Sequence, residues 1–431
     1  MRPGILYVVT IIAVILNIAA TGYWTYYNRP VPSVAEFKNP DEYVQFDLDV
    51  YDIIAKNYWQ KPSDADMSTL FLLSLEKSSG KADIALPSAN RAGVLQILTS
   101  AMQNASSSDA RRDLSLLTAQ VALANLPPNG RSGLLSKEDE TQLRNLESNI
   151  HPTQDLYATL GLPTAAATSA VQNAYIAKAA ELSKATSTEA AQQLAQVTHA
   201  KDVLTNPVSK ALYDSSKMEP TVFMRKIGKS TLYVDMSQVS PATFGEFVQN
   251  LSTNLQKFPS LTNMIIDLRH NIGGDLDFVQ NFFALFMGPQ QFVFDLYHQG
   301  DLQPQRTPGI ASIPELSKFL EIAVLTDNES KSTAELTAAT FKKFRLGTIV
   351  GTKTSGWGTV ENTFPIATRI SSSTLYTALL VHSITLREDN TPIQDHGVDP
   401  DIDTSKSDWH THLSKYFGTE LSAAIEQIAG R

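Results

Sequence analysis

Asn263-Met264-Ile265-Ile266-Asp267-Leu268 runs directly into Arg269-His270-Asn271-Ile272-Gly273-Gly274, and residues 275–286 then continue as an amphipathic stretch. The first six residues form an apolar run of strand length, and the last twelve repeat with helical spacing. Between them, two glycines let backbone N–H groups come close to a ligand, while the helix that follows adds its positive end. A plain strand-to-helix turn would also favour glycine, so the loop needs support from elsewhere in the chain. Working outward, residues 322–326 read as a strand, 332–344 as a helix and 348–351 as the next strand, while 232–235 and 244–255 form an earlier strand and helix. Strand–helix–strand units imply parallel strands joined by crossovers. Both loops would then leave the carboxyl ends of strands, where open α/β sheets place ligands.

The second loop holds Asn328-Glu329-Ser330-Lys331-Ser332-Thr333-Ala334-Glu335. Ser332 and Glu335 have the spacing of a capping box, a structural role that needs no chemistry. Lys342, Lys343 and Arg345 suit the other end of the same helix for dipole reasons alone. A serine hydroxyl at such a position also presents a nucleophile beside a glycine loop able to hold an oxyanion. The local sequence leaves both readings open.

The order of motifs adds to this. Residues 267–274 resemble the Asp-Leu-Arg-x-Asn-x-Gly-Gly signature of the tail-specific (C-terminal processing) serine peptidases, and Ser332 with Glu335 resembles their Ser-x-x-Glu helix start. Gly351-Thr352-Lys353-Thr354-Ser355-Gly356-Trp357-Gly358 resembles the turn that carries their lysine, and His396-Gly397-Val398-Asp399-Pro400-Asp401-Ile402 their closing Gly-Ile-Glu-Pro-Asp. The resemblance covers about 230–403. It implies an α/β peptidase domain of ClpP/crotonase-like β-α-β units, a protein or peptide substrate, and neither cofactor nor metal. Carried over by position, Ser332 is the nucleophile, and Gly273 or Gly274 with the Thr333 N–H forms the oxyanion pocket. The family's lysine falls at Trp357, which has no basic nitrogen, and Glu361 stands where many members have glutamine. Lys353, His270 and His396 are the candidate substitute bases. Loss of a positioned base removes about 10²–10⁴-fold of rate. Two readings follow: a serine peptidase cleaving near protein C-termini through an acyl-enzyme on Ser332, or an inactive relative that binds peptides or partners.

The remainder of the chain bounds these readings. With 431 residues there is room for two or three domains. A net charge of -9, with no basic run, argues against nucleic acid. No cysteine is present, which excludes disulfides and a thiolate nucleophile. Residues 4–27 form an apolar run closing on Tyr23, Trp24, Tyr26 and Tyr27, close to the ~20 residues of a spanning helix. They read as a single-pass anchor with a cytoplasmic N-terminus and the other domains outside, or as a cleaved signal from a secreted chain. Residues 28–40, with three prolines, read as a linker, and 41–150 as a helical N-terminal region. A segment at 153–216, opening Asp155-Leu156-Tyr157-Ala158-Thr159-Leu160-Gly161 and closing Lys210-Ala211-Leu212-Tyr213-Asp214, resembles a small helical J domain in the place where that peptidase family carries PDZ. Its His-Pro-Asp turn falls at Ser183-Lys184-Ala185, which disfavours a working co-chaperone. Residues 220–405 are read as the peptidase-like domain and 406–431 as a C-terminal helix. The sequence does not fix the oligomeric state.

Overall fold

The computed structural model describes residues 41–184, 187–371 and 374–429. The expected anchor at 4–27 and the linker at 28–40 lie outside the described residues. Among the described residues no helix is long and apolar enough to cross a membrane.

Four helices come first: α1 (Glu42–Asn57), α2 (Asp64–Ser79), α3 (Arg91–Gln103) and α4 (Ser108–Ala124). Each begins at a side chain that accepts first-turn N–H groups, from Asp41, Ser63, Asn90 and Ser107 respectively. Their apolar faces bury Phe46, Ile54, Phe71, Leu98 and Leu123. Ala378, Leu380, Val381 and Ile384 belong to the same core. These four lie on β10 (Tyr376–Thr385), so the N-terminal helices are built onto a sheet rather than standing as a helical unit. Residues 133–136, inside the region expected to be helical, form strand β1 (Gly133–Ser136), antiparallel to β10. A half-buried edge strand of only four residues carries too little periodicity to announce itself. α5 (Lys137–Glu147) follows, opened by the Ser136–Asp139 capping box.

Residues 156–216 make a bundle of α6 (Leu156–Thr159), α7 (Thr168–Leu182), α8 (Thr188–Thr205) and α9 (Pro207–Ser216). Its core contains Tyr157, Leu160, Val203, Leu204 and Tyr213, with Tyr175 and Phe223 packed against it from partly buried positions. Asp214 ties the closing helix to the opening one, accepting from the Tyr157 hydroxyl at 2.7 Å and from Lys210 Nζ at 2.6 Å. Ser183 caps the end of α7, and Ala185 lies outside the described residues.

The rest of the chain builds two sheets from β2 (Val222–Ile227), β3 (Thr231–Met236), α10 (Thr243–Lys257), β4 (Asn263–Asp267), α11 (Asp277–Met287), β5 (Phe292–His298), β6 (Asp301–Arg306), β7 (Glu321–Thr326), α12 (Thr333–Phe344), β8 (Thr348–Gly351), β9 (Thr359–Pro365), β10 and β11 (Ile402–Asp403). The larger sheet has the order β11-β8-β7-β4-β3-β2, parallel throughout except for the β2–β3 hairpin. Alternate residues serve opposite faces: Met264, Ile266 and Val324 join Phe247, Phe282, Phe283 and Phe341 beneath α10–α12. Ile265, Ala323, Leu325 and Val350 join Trp409, Leu413, Leu421 and Ile425 on the other side. Burial on both faces is why these strands read as continuous apolar runs. The second sheet, antiparallel, joins β1, β10, β5 and β6, with β9 also pairing β10. The expected single helix at 406–431 is two, α13 (Trp409–Leu413) and α14 (Thr419–Ala429). They break where the Gly418 N–H donates to the Glu321 carboxylate instead of continuing a helix.

Candidate active site

Three loops meet at the carboxyl ends of the adjacent strands β4, β7 and β8. They are stitched together by backbone groups. The Lys331 N–H donates to Asn271 O at 2.8 Å, Ser330 Oγ donates to Leu268 O at 2.8 Å, and the Ser355 N–H donates to Ser330 O at 3.1 Å. Asn271 is fully buried and pins the glycine loop, donating to Met236 O at 2.7 Å and accepting the Gly273 N–H at 2.8 Å.

Ser332 sits at the start of α12 with φ 53° and ψ −121°, a backbone conformation that costs a residue with a side chain about 1–3 kcal/mol. Glu335 holds it there. Its carboxylate, fully buried, accepts the Ser332 N–H at 2.9 Å, the Thr354 hydroxyl at 2.6 Å, the Gly356 N–H at 2.6 Å and the Trp357 N–H at 2.7 Å. Burial pushes Glu335 above the usual carboxylate range, against the pull of those four donors. The capping box is therefore present, but the same carboxylate also fastens the Gly351–Gly358 turn beside Ser332.

Gly273 packs against this corner so closely that a Cβ placed on it would lie 2.7 Å from Ser332 Cβ and 2.9 Å from Thr333 N. Its φ of 84° also suits glycine. Because its own N–H is taken by Asn271, Gly273 shapes the pocket rather than donating into it, which narrows the expected donor pair. The N–H groups of Gly274 and Thr333 donate to no described residue, while the Thr333 hydroxyl donates to Gly274 O at 2.8 Å.

The three expected substitute bases are all held elsewhere. Lys353 pairs with Asp399 at 3.3 Å. His270 Nδ1 lies 2.9 Å from Glu329 and 3.0 Å from Asp327. His396 Nδ1 contacts Gln394 O at 2.8 Å. Among the described residues no lysine or histidine nitrogen reaches Ser332 Oγ. The assignment of Lys353 as base is therefore corrected: a carboxylate on the neighbouring loop has claimed its ammonium.

A different cation enters the cleft. The Arg131 guanidinium carbon lies 3.0 Å from the centroid of the Trp357 indole. Burial lowers Arg131 below its ordinary value, while Glu361, Asp395 and Glu335 act to raise it. Glu361 accepts the Thr359 hydroxyl at 2.6 Å. Burial raises its pKa, opposed by that bond, by the Arg131 charge and by a hydrogen bond from Trp357. Two further carboxylates line this region: burial and the neighbouring Asp275 raise Glu147, and burial with Asp277 pushes Asp275 up to about 6. Sequence reasoning missed Arg131 and Glu147, since no spacing rule joins them to residues two hundred positions later.

Residues 230–404 match the model of peptidase family S41. The chain is 27% identical over 204 residues to a "Carboxy-terminal-processing protease" of Bartonella bacilliformis, covering 46% of this chain and 43% of that protein. It is 26% identical over 141 residues to a "Probable CtpA-like serine protease" of Staphylococcus epidermidis, covering 31% of this chain and 28% of that protein. These matches span less than half the length of either curated relative. Among solved structures, a photosystem II D1 C-terminal processing protease aligns with a TM-score of 0.46 at 15% identity, over 84% of this chain and 93% of that one. Residues 230–404 are thus a peptidase family S41 domain, and the curated relatives that the chain resembles are named C-terminal-processing or CtpA-like proteases.

Proposed function

We propose that the Ser332 cleft is a slow serine-type peptidase centre that acts on peptide bonds near protein C-termini. The observation that carries this reading is the strained Ser332 corner, fixed by Glu335 beside the unpaired Gly274 and Thr333 N–H groups. A substrate carbonyl placed there would meet two donors as its carbon is attacked, and each good donor is worth about 3–4 kcal/mol. With no positioned nitrogen base, the rate falls about 10²–10⁴-fold below that of a complete site. Oxyanion donors and binding alone still supply about 10³–10⁴-fold over water. The expected product of the first half-reaction is an acyl-enzyme on Ser332, released by water. Fluorophosphonate labelling and peptide cleavage by the full chain test this, with Ser332→Ala as control. Equal signals from the two proteins would sink the reading.

A second reading, a peptide-binding protein without turnover, is favoured because among the described residues no lysine or histidine nitrogen lies at Ser332 Oγ. It predicts peptide binding with no Ser332-dependent labelling. The apolar run at 4–27 supports placing the chain at the cell membrane with the cleft outside. Carbonate-resistant membrane association that disappears on deleting residues 4–27 would be the expected outcome.

A further inference from the structure

Arg131 comes to the cleft from outside the S41 domain, at the entry to β1, and its backbone is firmly placed. Next to it, Ser132 Oγ accepts the Val381 N–H at 3.2 Å. Slightly earlier, the Pro127 carbonyl accepts from the Tyr58 hydroxyl and from Trp59 Nε1. The guanidinium sits over the Trp357 ring, and its N–H groups donate to no described residue. A guanidinium stacked on an aromatic face keeps its edge donors available for an oxyanion. The backbone of Trp357 is tied to that of Ser332, since both N–H groups donate to Glu335 Oε2, at 2.7 and 2.9 Å, and Glu335 is close enough to act on the Arg131 charge. Position 357 is also where the family's lysine falls. An arginine cannot take the serine proton, since its guanidinium stays protonated in proteins. It can, however, supply a fixed positive charge.

We propose that Arg131 supplies the charge of the missing lysine without its basicity, stabilising the anion that forms as Ser332 is acylated while solvent removes the proton. This rests on the reading of Ser332 as nucleophile. In the step, the Ser332 Oγ proton passes to a hydroxide ion, giving water, and the Oγ–carbon bond forms. The carbonyl π pair moves onto oxygen, where the Gly274 and Thr333 N–H groups and Arg131 hold the charge. Collapse reforms the carbonyl and breaks the carbon–nitrogen bond. The leaving amine takes a proton from water, which returns the hydroxide. The carboxylates of Glu361, Asp395 and Glu335 act on the Arg131 charge and favour its protonated form against the burial that lowers it.

A pH profile of labelling separates this role from a structural one. The full chain in detergent is treated with a fluorophosphonate between about pH 6 and 9, and modification of Ser332 is followed by mass spectrometry. Wild-type rates should climb roughly tenfold per pH unit without a plateau, because among the described residues no side chain, the raised carboxylates Asp275, Glu147 and Glu361 included, hydrogen-bonds to Ser332 Oγ as its acceptor. Arg131→Gln should label about 10- to 100-fold more slowly, the range expected for losing a hydrogen bond to a charged group. Arg131→Lys, which keeps the charge, should label faster than Arg131→Gln even if both lose some stability. Arg131→His should introduce a plateau above the imidazole pKa, with Glu361 available to orient the ring. An Arg131→Gln rate equal to wild type, or a wild-type plateau in this range, would overturn the proposal while leaving Ser332 as the nucleophile. Absence of label on wild-type Ser332 would overturn the nucleophile reading and this proposal with it.

Discussion

Two corners of one cleft are built in opposite ways. At the Ser332–Glu335 corner a buried carboxylate satisfies four donors from two loops and holds a strained serine in place. At the Trp357–Arg131 corner, on the same turn, an indole and a guanidinium stand at the sequence position where the family's lysine falls. On the function proposed above, the first corner is the one that would carry acyl transfer, whereas the second has charge without basicity. On that proposal, positioning of the serine and supply of a base would fall to different residues, so one can be kept while the other is lost.

Removing the centre of the first corner should have the largest effect. Glu335→Ala strands four donors, three of them from the turn at 354–357, in a buried site. Denaturant unfolding should show a loss of about 3–5 kcal/mol, and Ser332 labelling should vanish. Giving the second corner a base should act in the other direction. Trp357→Lys places an ammonium beside Arg131, whose like charge lowers its pKa into a useful range, and labelling should rise about 10²-fold or more. An unchanged rate would mean that the two corners do not communicate.

Gly273→Ala tests the packing between the glycine loop and the serine. Its Cβ would press on Ser332 Cβ at 2.7 Å and Lys331 O at 2.8 Å, so a loss of roughly 2–3 kcal/mol and weaker labelling are expected. A smaller effect is expected away from the cleft, where burial and the facing Asp267 raise Asp235 to about 6. A carboxyl whose folded pKa is raised adds stability below its unfolded value and loses it as pH rises through about 6. Asp235→Asn should therefore be more stable than wild type by roughly 1–3 kcal/mol at pH 8, with the difference shrinking toward pH 4. Lys353→Ala should matter least. Its ion pair with Asp399 is half-exposed, and melts and labelling should change by no more than about 0.5 kcal/mol or twofold. A collapse of labelling in this variant would reinstate Lys353 as the base.

The parallel sheet was legible because strands buried on both faces are written as apolar runs, and 263–267, 321–326 and 348–351 fall within a residue of their expected bounds. The antiparallel sheet was not, since β1, β5, β6 and β9 are short or half-buried and gain their pattern from one another. The same limit applied to the helices at 42–124. Their periodicity was plain, but their partner, the β10 face carrying Ala378 and Leu380, lies more than two hundred residues away.

By itself the sequence determined the family of residues 230–404, the loop order around Ser332 and the replacement of lysine by Trp357, because each is a matter of residue type and local spacing. Tertiary structure alone decided what stands against that tryptophan. The pairing of β1 with β10 carries Arg131 into the cleft, and the Asp399 carboxylate draws Lys353 away from it. Electrostatics in a site depends on distance through space, and a chain that folds back on itself makes that distance unreadable from position in sequence.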